Sequence, residues 1–311
     1  MLYLFLLIIV KVEFVMRIKK IEKYYHMMLL PGMVLLFLFN IVPMFGIVIA
    51  FQNFIPARGI LGSDFIGLNN FRTIMLFPEI GRVMRNTVII AVSKIILGLI
   101  VPIIFAVLLN ELRWRKLKRT VQTIVYVPNF ISWVILSIMF SNLFAYNGLV
   151  NQFTGLFGAE PVMFFINNTW FRPLIIGTDV WRTFGFGVII YLAAITTIDP
   201  NMYEAAEIDG ANRWHKIWHI LLPSIKSTII LMATLSIGNV LNAGFEQILV
   251  MYSPLVYETV DIIDTYIFRM GLISLQFSIS TAVGLGRSLI SFVLLVTSYF
   301  LASKFAGYTL F

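Results

Sequence analysis

The sequence predicts an all-α protein that crosses a membrane several times, and three observations support this class. Of its 311 residues, 59% are hydrophobic and only 12% are charged, whereas soluble domains carry about 25% charged residues. The mean hydropathy is +0.92. Apolar runs of about 20 residues recur along the chain, and each is long enough to cross the roughly 30 Å hydrocarbon core of a bilayer as a helix.

Six apolar segments, each bounded by turn or charge signals, are predicted to be transmembrane helices. They cover residues 27–51, 86–110, 121–145, 171–195, 227–251 and 281–304. Glycine and proline inside them are common in membrane helices, and small residues allow helices to pack closely. We therefore interpret residues 27–311 as one transmembrane domain and residues 1–26 as a segment in the cytoplasm or at the membrane interface.

Basic residues predict the orientation of these spans, because cytoplasmic loops carry an excess of Lys and Arg. These residues are concentrated before the first span, after the second and after the fourth, and they are fewer in the other loops. This distribution predicts that both termini are cytoplasmic. The net charge of +8 is thereby interpreted as a topology signal, and we expect no nucleic acid partner.

The chain lacks the residue patterns of common enzymes. It contains no cysteine, and hence no disulfide framework and no thiolate metal site. His215 and His219 have the i,i+4 spacing of metal ligands, but HKIWH lacks the glutamate of the zinc-protease motif, so both are interpreted as surface-helix residues. A phosphate-binding loop of the form G-x-x-x-x-G-K-S/T is also missing from the sequence. We therefore predict that the chain is not an enzyme and that it binds no metal or cofactor itself.

The most informative segment is the loop between the fourth and fifth spans, which reads EAAEIDGANRWHKIWHILLP from Glu204 onward. Asp199 and Pro200 favour a helix start, as N-cap and first helical residue. They predict a helix over 200–209 with Glu204 exposed. Gly210 can adopt the positive φ that ends such a helix.

A second amphipathic helix is predicted to follow, because apolar residues recur at helical spacing in Trp214, Ile217, Trp218 and Leu221. Its apolar face is expected to lie against the membrane bundle, and Pro223 is expected to separate it from the fifth span. The unit, residues 199–223, would be a compact body at the membrane surface that receives force from a soluble partner. The residues predicted to form this coupling surface are Glu204, Ala205, Ala206, Asp209, Gly210, Leu222 and Pro223.

This spacing of Glu-Ala-Ala, glycine and Leu-Pro resembles the EAA loop of ABC-importer permeases. Other stretches that resemble these permeases are MLLPGMVLLFLFNIVPMFGIVIAF from Met28, IGLNNF from Ile66, RNT from Arg85 and GFEQILVMYSPLVYETVDIIDTYIFRMGL from Gly244. Within the family, the chain is similar to the sugar branch (the MalF-type, binding-protein-dependent permeases), and within that branch to the polysaccharide-type, LplB-like members.

The resemblance implies a type I importer permease fold in a bacterial cell membrane and the import of oligosaccharides or polysaccharide fragments by alternating access. It also implies partners, namely a second and similar permease subunit, two ATPase subunits that bind ATP and Mg, and an extracytoplasmic solute-binding protein. We expect the extracytoplasmic loops 52–85, 146–170 and 252–280 to form interfacial or re-entrant helices and to dock that binding protein.

Polar side chains inside membrane spans are costly and need a partner or a water-filled cavity. In the fourth span, Asp179 and Arg182 lie at i,i+3 with Trp181 beside them. They either pair with each other as a structural ion pair or line a path for sugar hydroxyls. The sequence leaves both interpretations open.

The fifth span carries a second polar set. Asn239, Asn242 and Glu246 are predicted to share one helix face, with Phe245 adjacent and Gln247 next in the chain. Amides, a carboxylate and an aromatic ring suit a carbohydrate, although hydrogen bonds between helices would use the same side chains. The resemblance favours a place for Asn242 and Glu246 in the path.

Two basic residues inside predicted spans have other expected roles. Lys94 is expected to extend to the outer membrane interface, and Arg287 is expected to pair with Asp261 or Asp264.

An ion-coupled secondary transporter, with Asp179, Arg182 and Glu246 as a relay, is the alternative function. Such carriers often contain inverted repeats, and the sequence has no convincing internal repeat.

Overall fold

The computed structural model of the protein describes residues 24–306, apart from residue 239. Most of the predicted N-terminal segment, residues 1–26, therefore lies outside the described residues, as does Asn239. In chain order, the helices are α1 Tyr24–Phe51, α2 Asn69–Met75, α3 Pro78–Glu111, α4 Arg115–Tyr126, α5 Trp133–Leu143, α6 Leu149–Gly155, α7 Asn168–Thr196, α8 Pro200–Ile208, α9 Arg213–Ser224, α10 Lys226–Gly238, α11 Phe245–Met251, α12 Tyr257–Val260, α13 Ile263–Phe268 and α14 Phe277–Ala306.

Short irregular turns and one hairpin connect these helices. Strands β1 (Gln52–Asn53) and β2 (Asp64–Phe65) pair antiparallel, with Gln52 opposite Phe65. Single 3-10 turns lie at Pro56–Arg58, Val127–Phe130 and Pro254–Val256. Turns of π-helix lie at Phe37–Ile41 in α1, at Ile217–Leu221 in α9 and at Arg269–Ile273 after α13.

The prediction of six membrane spans is confirmed, with two of the spans bent. Helices α1, α3, α7 and α14 are long and apolar enough to cross a bilayer alone. The pairs α4–α5 and α9–α10 each pass the same test together, with bends of 107° and 57°. Six spans result when each bent pair is taken as one span.

The third span, predicted over 121–145, is not one continuous helix. The chain turns by 107° between α4 and α5, and the 3-10 turn at the bend contains Pro128. Ser132 then caps α5 by accepting a hydrogen bond from the Ile135 amide. A proline that ends one helix, followed by a serine that caps the next, is typical of two separate helices. The apolar character of the segment favoured a single span instead.

The fifth span, predicted over 227–251, is not one continuous helix either. Helix α10 ends at Gly238, and α11 begins only at Phe245, after Gly244 with φ +95°. At the other end, Pro223 does not separate α9 from the span, because α9 continues to Ser224 and the 57° bend follows it. Glycine populates positive φ without steric cost, so Gly244 permits the break.

Helices α3 and α7 form the centre of the bundle. One buried cluster joins them to α5 and the broken fifth span through Ile90, Leu136, Phe171, Ile175 and Ile248. A second cluster joins their other ends to α9 through Ala106, Leu109, Val188, Tyr191 and Leu221. The surface loop and the broken span are thus attached to opposite ends of one rigid helix pair.

Close packing of α4 against α7 depends on Gly185. A Cβ atom at this position would collide with the backbone carbonyl of Val125. We expect Gly185→Ala to lower the free energy of unfolding by about 2 kcal/mol, the usual cost of forcing extra volume into a packed interior. Thermal unfolding in detergent would measure the change. Gly177→Ala on the same helix is the matched control, because a Cβ there has no neighbour within 4 Å.

Candidate functional site

The loop between the fourth and fifth spans folds as a helix–glycine–helix unit, as predicted. The Asp199 side chain accepts a hydrogen bond from the Asn201 amide at 3.0 Å and caps α8. Gly210 has φ +77°, and its amide donates to the Glu207 carbonyl at 3.1 Å. Asn212 then caps α9 by accepting from the His215 amide at 2.9 Å.

The predicted coupling surface is accessible along α8 and at Gly210. Its exposed members are Glu204, Ala205, Asp209, Gly210 and Pro223, while Ala206 and Leu222 are half-buried. The neighbouring Ile208 is 87% exposed. A carboxylate beside small and apolar side chains is therefore free to contact a further protein.

The predicted apolar face of α9 is partly wrong. Trp214 and Trp218 are 70% and 62% exposed, whereas Leu221 is buried as predicted, together with Ile220 and with Ile225 just after the helix. The π turn at Ile217–Leu221 explains the difference. A π turn inserts one extra residue into the helix, so residues on either side of it no longer share the face that regular spacing predicts.

An ion pair joins the two helices of the loop across Gly210. Lys216 Nζ lies 2.8 Å from Glu207 Oε1, with the lysine side chain 18% exposed and the glutamate side chain 74% exposed. The hydrogen bond and charge of Lys216 lower the pKa of Glu207. The pair spans the turn at Gly210, so it links α8 to α9 directly.

This contact has a testable pH dependence. Because the pKa of Glu207 is lowered in the folded loop, the contact contributes at pH values above the ordinary carboxyl range and is lost as pH falls through the folded pKa. We expect the pKa of the Glu207 carboxyl to lie below the ordinary range for glutamate, and to return towards that range in Lys216→Met. Carbon-13 NMR of the carboxyl group would measure this midpoint. Lys226→Met, which removes an exposed charge elsewhere, should leave the midpoint unchanged.

The broken fifth span forms the second part of the candidate site. Lys94 of α3 reaches the break, and its Nζ donates to the Ala243 carbonyl at 2.9 Å and to Gln247 Oε1 at 2.6 Å. The same ammonium lies 3.1 Å from Asp179 Oδ1 of α7, and the Lys94 side chain is only 9% exposed. The prediction that Lys94 extends to the membrane interface is therefore wrong. The break leaves the Ala243 carbonyl available as an acceptor inside the bundle, where a continuous helix would use it for its own backbone hydrogen bond.

A second cation holds the other side of the break. Arg287 of α14 donates from Nη2 to the Leu241 carbonyl at 3.2 Å and lies 3.0 Å from Asp264 Oδ2. Asp261, the other predicted partner, instead binds Arg269 at 2.6 Å. Two spans thus each contribute a cation to the backbone of one unwound segment.

A cavity lies on each side of this segment, and Asn242 lines both. The Lys94–Asp179 cavity has a volume of 330 Å³. Besides Asn242, its lining includes Lys94, Asp179, Ser236 and Gly244. The Asn242–Arg287 cavity has a volume of 490 Å³ and lies against α13 and α14. The exposed Asn242 side chain is therefore the polar group common to both spaces.

The predicted ion pair between Asp179 and Arg182 does not form. Asp179 pairs with Lys94. Arg182 donates from Nε to the Ile131 carbonyl at 3.1 Å and lies over the Trp133 ring at 4.8 Å from its centroid. Arg182 therefore braces the bend of the third span, where unwound carbonyls need donors.

Trp181 also points away from the Lys94–Asp179 cavity. It packs edge-on against Phe140 at 5.6 Å and lines a separate apolar cavity between α5 and α7. Successive residues on a helix are 100° apart, so Asp179, Trp181 and Arg182 reach three different surroundings. Of the three predicted path residues of the fourth span, Asp179 is the one that lines a polar cavity.

The shared helix face predicted for the fifth span is wrong. Asn242 lies in the break and Glu246 lies in the first turn of α11, so the two are not on one continuous helix. Glu246 is exposed, and Phe245 lines the Asn242–Arg287 cavity. Gln247 is fully buried and donates to the Ile175 carbonyl and to Thr178, which makes it a structural link.

Comparisons with known proteins identify the family. The model of the family described as binding-protein-dependent transport system inner membrane component matches residues 98–307. The chain belongs to this family. It is therefore a multi-pass membrane permease component of a transport system and not an enzyme.

Relatives and solved structures agree with this assignment. The chain is 44% identical to the polygalacturonan/rhamnogalacturonan transport system permease protein YteP of Bacillus subtilis, over 91% of this chain and 89% of that protein. It is 38% identical to the protein LplB of Bacillus subtilis, over 92% of this chain and 90% of that protein. A bacterial alginate ABC transporter, solved in complex with alginate pentasaccharide-bound periplasmic protein, matches with a TM-score of 0.84 and 34% identity, covering 92% of this chain and 96% of that chain. The predicted type I importer permease fold is confirmed.

Proposed function

We propose that this permease carries oligosaccharides or polysaccharide fragments into a bacterial cell across its inner membrane. The functions of its relatives support this substrate class, since YteP is a polygalacturonan/rhamnogalacturonan permease and the solved transporter is involved in the import of alginate. Residues 27–311 act as one membrane domain, with both termini in the cytoplasm and the loop 199–223 as its cytoplasmic coupling element. The aromatic and amide side chains at the broken fifth span are of the kind that bind sugar rings and hydroxyls.

The observation that carries this proposal is the accessible coupling loop. Glu204 and Ala205 lie exposed on a short helix that is tied to α9 by the Glu207–Lys216 pair, while α9 packs on the central helices through Leu221. Displacement of α8 by a partner is therefore transmitted to α3 and α7. Since the sequence has no phosphate-binding loop, the partners that supply this force are two ATPase subunits holding ATP and Mg.

The full transporter contains further proteins. A second, similar permease subunit completes the membrane pathway, and an extracytoplasmic solute-binding protein delivers the saccharide. The loops 52–85, 146–170 and 252–280 dock that protein. ATP binding brings the coupling loops together and opens the pathway outward under the loaded binding protein, and hydrolysis returns it inward. This is a population shift driven by ligands that bind the two states with different affinity.

The alternative of an ion-coupled carrier has a physical argument against it. A carrier with a broken helix typically binds its coupling ion at the unwound carbonyls. Here the Lys94 ammonium already donates to the Ala243 carbonyl and pairs with Asp179. A fixed internal cation occupies the acceptors that such an ion would need.

Co-purification and ATP hydrolysis test the proposed function. We expect the tagged chain to retain a second permease and an ATPase encoded beside it, and the complex to hydrolyse ATP faster when a saccharide-loaded binding protein is added. Binding protein without saccharide is the control. Hydrolysis that never responds to a loaded binding protein, or a purified chain that retains no ATPase, would contradict the proposal.

A further inference from the structure

A polar cavity lies where the end of α3 meets α8 and α9, and we call it the Arg113–Arg213 cavity. Its volume is 310 Å³, and it shares no lining residue with the two cavities at the broken span. Pockets for small ligands have volumes of about 300–1,000 Å³. Three cations line it, namely Arg113, Arg213 and Lys216. Lys216 is paired with Glu207, whereas Arg113 and Arg213 form no ion pair within the part of the chain that the structure describes.

The charges around this cavity match an anion that carries a single charge. Besides the three cations, its lining includes two carboxylates, Glu111 and Glu207, so one positive charge remains uncompensated. A phosphodiester carries one negative charge, whereas a phosphate monoester carries about −1.5 to −2 at neutral pH. Arginine suits either group, because its planar guanidinium can donate two parallel hydrogen bonds to phosphate oxygens. The charge balance therefore favours a phosphodiester.

Each of the two unpaired arginines is followed in the chain by an exposed tryptophan. Trp114, next to Arg113, is 76% exposed, and Trp214, next to Arg213, is 70% exposed. In membrane proteins, tryptophan is enriched at the interface between hydrocarbon and water, where the lipid headgroups lie. The two indole rings therefore indicate that the arginines lie at the level of the headgroups.

Helix α4, which begins directly after Arg113 and Trp114, indicates the same depth. Four of its first five residues, 115–119, are basic. The same helix keeps apolar side chains exposed, since Leu117 is 43% exposed and Ile124 is 65% exposed. A basic helix with exposed apolar side chains is typical of a helix at the membrane interface, where anionic lipids attract it. The cavity is thus next to a surface that concentrates anionic lipids.

We propose that the Arg113–Arg213 cavity binds the phosphodiester headgroup of an anionic phospholipid. The two guanidinium groups hold the phosphate, and Trp114 and Trp214 lie beside the glycerol backbone. The uncompensated positive charge selects an anionic lipid over a zwitterionic one. One bound lipid connects the end of α3 to the first turn of α9, so the coupling loop is attached to the membrane as well as to the bundle. This site goes beyond the proposed function and depends on it only for the side of the membrane on which it lies.

Native mass spectrometry of the complete transporter tests this site. The complex is assembled in nanodiscs of equal parts phosphatidylcholine and phosphatidylglycerol and released into detergent, and the retained phosphatidylglycerol is measured. We expect Arg113→Gln combined with Arg213→Gln to lower retention at least fivefold. The matched control is Arg115→Gln combined with Arg119→Gln, which removes the same charge from exposed positions outside the cavity lining. This control should lower retention less than twofold.

A stability measurement excludes unfolding as the cause of the lost lipid. In nanodiscs of phosphatidylcholine alone, the Arg113→Gln and Arg213→Gln double variant should unfold at the same temperature as the unchanged transporter, because neither arginine has an ion pair to lose. With phosphatidylglycerol present, only the unchanged transporter should gain thermal stability, since a ligand that binds the folded state stabilises it. An equal gain in both would contradict the site.

Four further outcomes would overturn the proposal. No loss of lipid from the cavity variant would show that the arginines do not bind it, and equal losses for the two pairs of substitutions would show that general attraction to a basic surface explains retention. Displacement of phosphatidylglycerol by inorganic phosphate would assign the cavity to a free anion. Loss of the ATPase subunits instead of lipid would assign the arginines to the ATPase interface. The proposed saccharide import stands in each case, because none of these measurements involves the saccharide.

Discussion

Replacing Gly210 by proline is expected to reduce saccharide uptake at least 100-fold while the membrane bundle stays folded. Proline fixes φ near −65° and has no amide hydrogen, whereas Gly210 has φ +77° and donates to the Glu207 carbonyl. The end of α8 would therefore unwind, and the Glu207–Lys216 pair would lose its geometry. Uptake into liposomes and ATP hydrolysis by the complete transporter would measure the effect. Basal hydrolysis should continue but no longer respond to the loaded binding protein.

Matched variants separate this coupling defect from simple unfolding. Gly210→Asn should retain most uptake, because asparagine tolerates the left-handed conformation better than other residues. Glu204→Lys should reproduce the defect, since it reverses an exposed charge that we place against the ATPase. The melting temperature of the permease should change little in each case, as both residues lie outside the packed clusters. Normal uptake by Gly210→Pro would contradict a force-transmitting role for this loop.

Breaking the Lys94–Asp179 pair is expected to destabilise the bundle by about 3–5 kcal/mol, the typical cost of leaving one member of a buried ion pair without its partner. Lys94→Met removes the ammonium that holds Asp179, the Ala243 carbonyl and Gln247 together. The broken segment would then lose its attachment to α3. Thermal unfolding in lipid nanodiscs would measure the loss.

Two comparisons show whether the effect comes from this pair. The double variant Lys94→Met with Asp179→Leu should recover part of the stability, because it leaves no unpaired carboxylate. Asp64→Asn breaks an ion pair with Arg58 at the surface, where the Arg58 side chain is 58% exposed and the Asp64 side chain is 73% exposed. This change should lower the free energy of unfolding by less than about 1 kcal/mol. Equal losses for Lys94→Met and Asp64→Asn would show that the buried pair does not hold the break.

The parts of the structure that could be predicted from sequence are those set by local chemistry. Asp199, Pro200 and Gly210 carry their helix-start and helix-stop preferences within a few residues, and the coupling loop has the predicted form. Hydropathy likewise places the long spans, since each must cross the same thickness of hydrocarbon. The loop could therefore be identified before its surroundings were known.

The parts that could not be predicted depend on contacts between distant residues or on small irregularities of the helices. Lys94 and Asp179 are adjacent only because α3 and α7 pack together. The sequence offered Asp261 and Asp264 as partners for Arg287, and the packing of α13 determines that Asp264 is the partner. The π turn in α9 moves Trp214 and Trp218 away from the buried face without leaving a sign in the apolar spacing. Gly244, by contrast, is a residue from which the break could have been predicted. The apolar character of 227–251 favoured a continuous span instead.

The most direct test of the central claim is saccharide uptake by purified components in liposomes. We expect uptake to require this chain, its permease partner, the ATPase subunits, ATP and the loaded binding protein, and to be unaffected by ionophores that collapse ion gradients. Uptake driven by a proton or sodium gradient through this chain alone would contradict the claim that a separate ATPase moves it through the loop at Glu204 and Gly210.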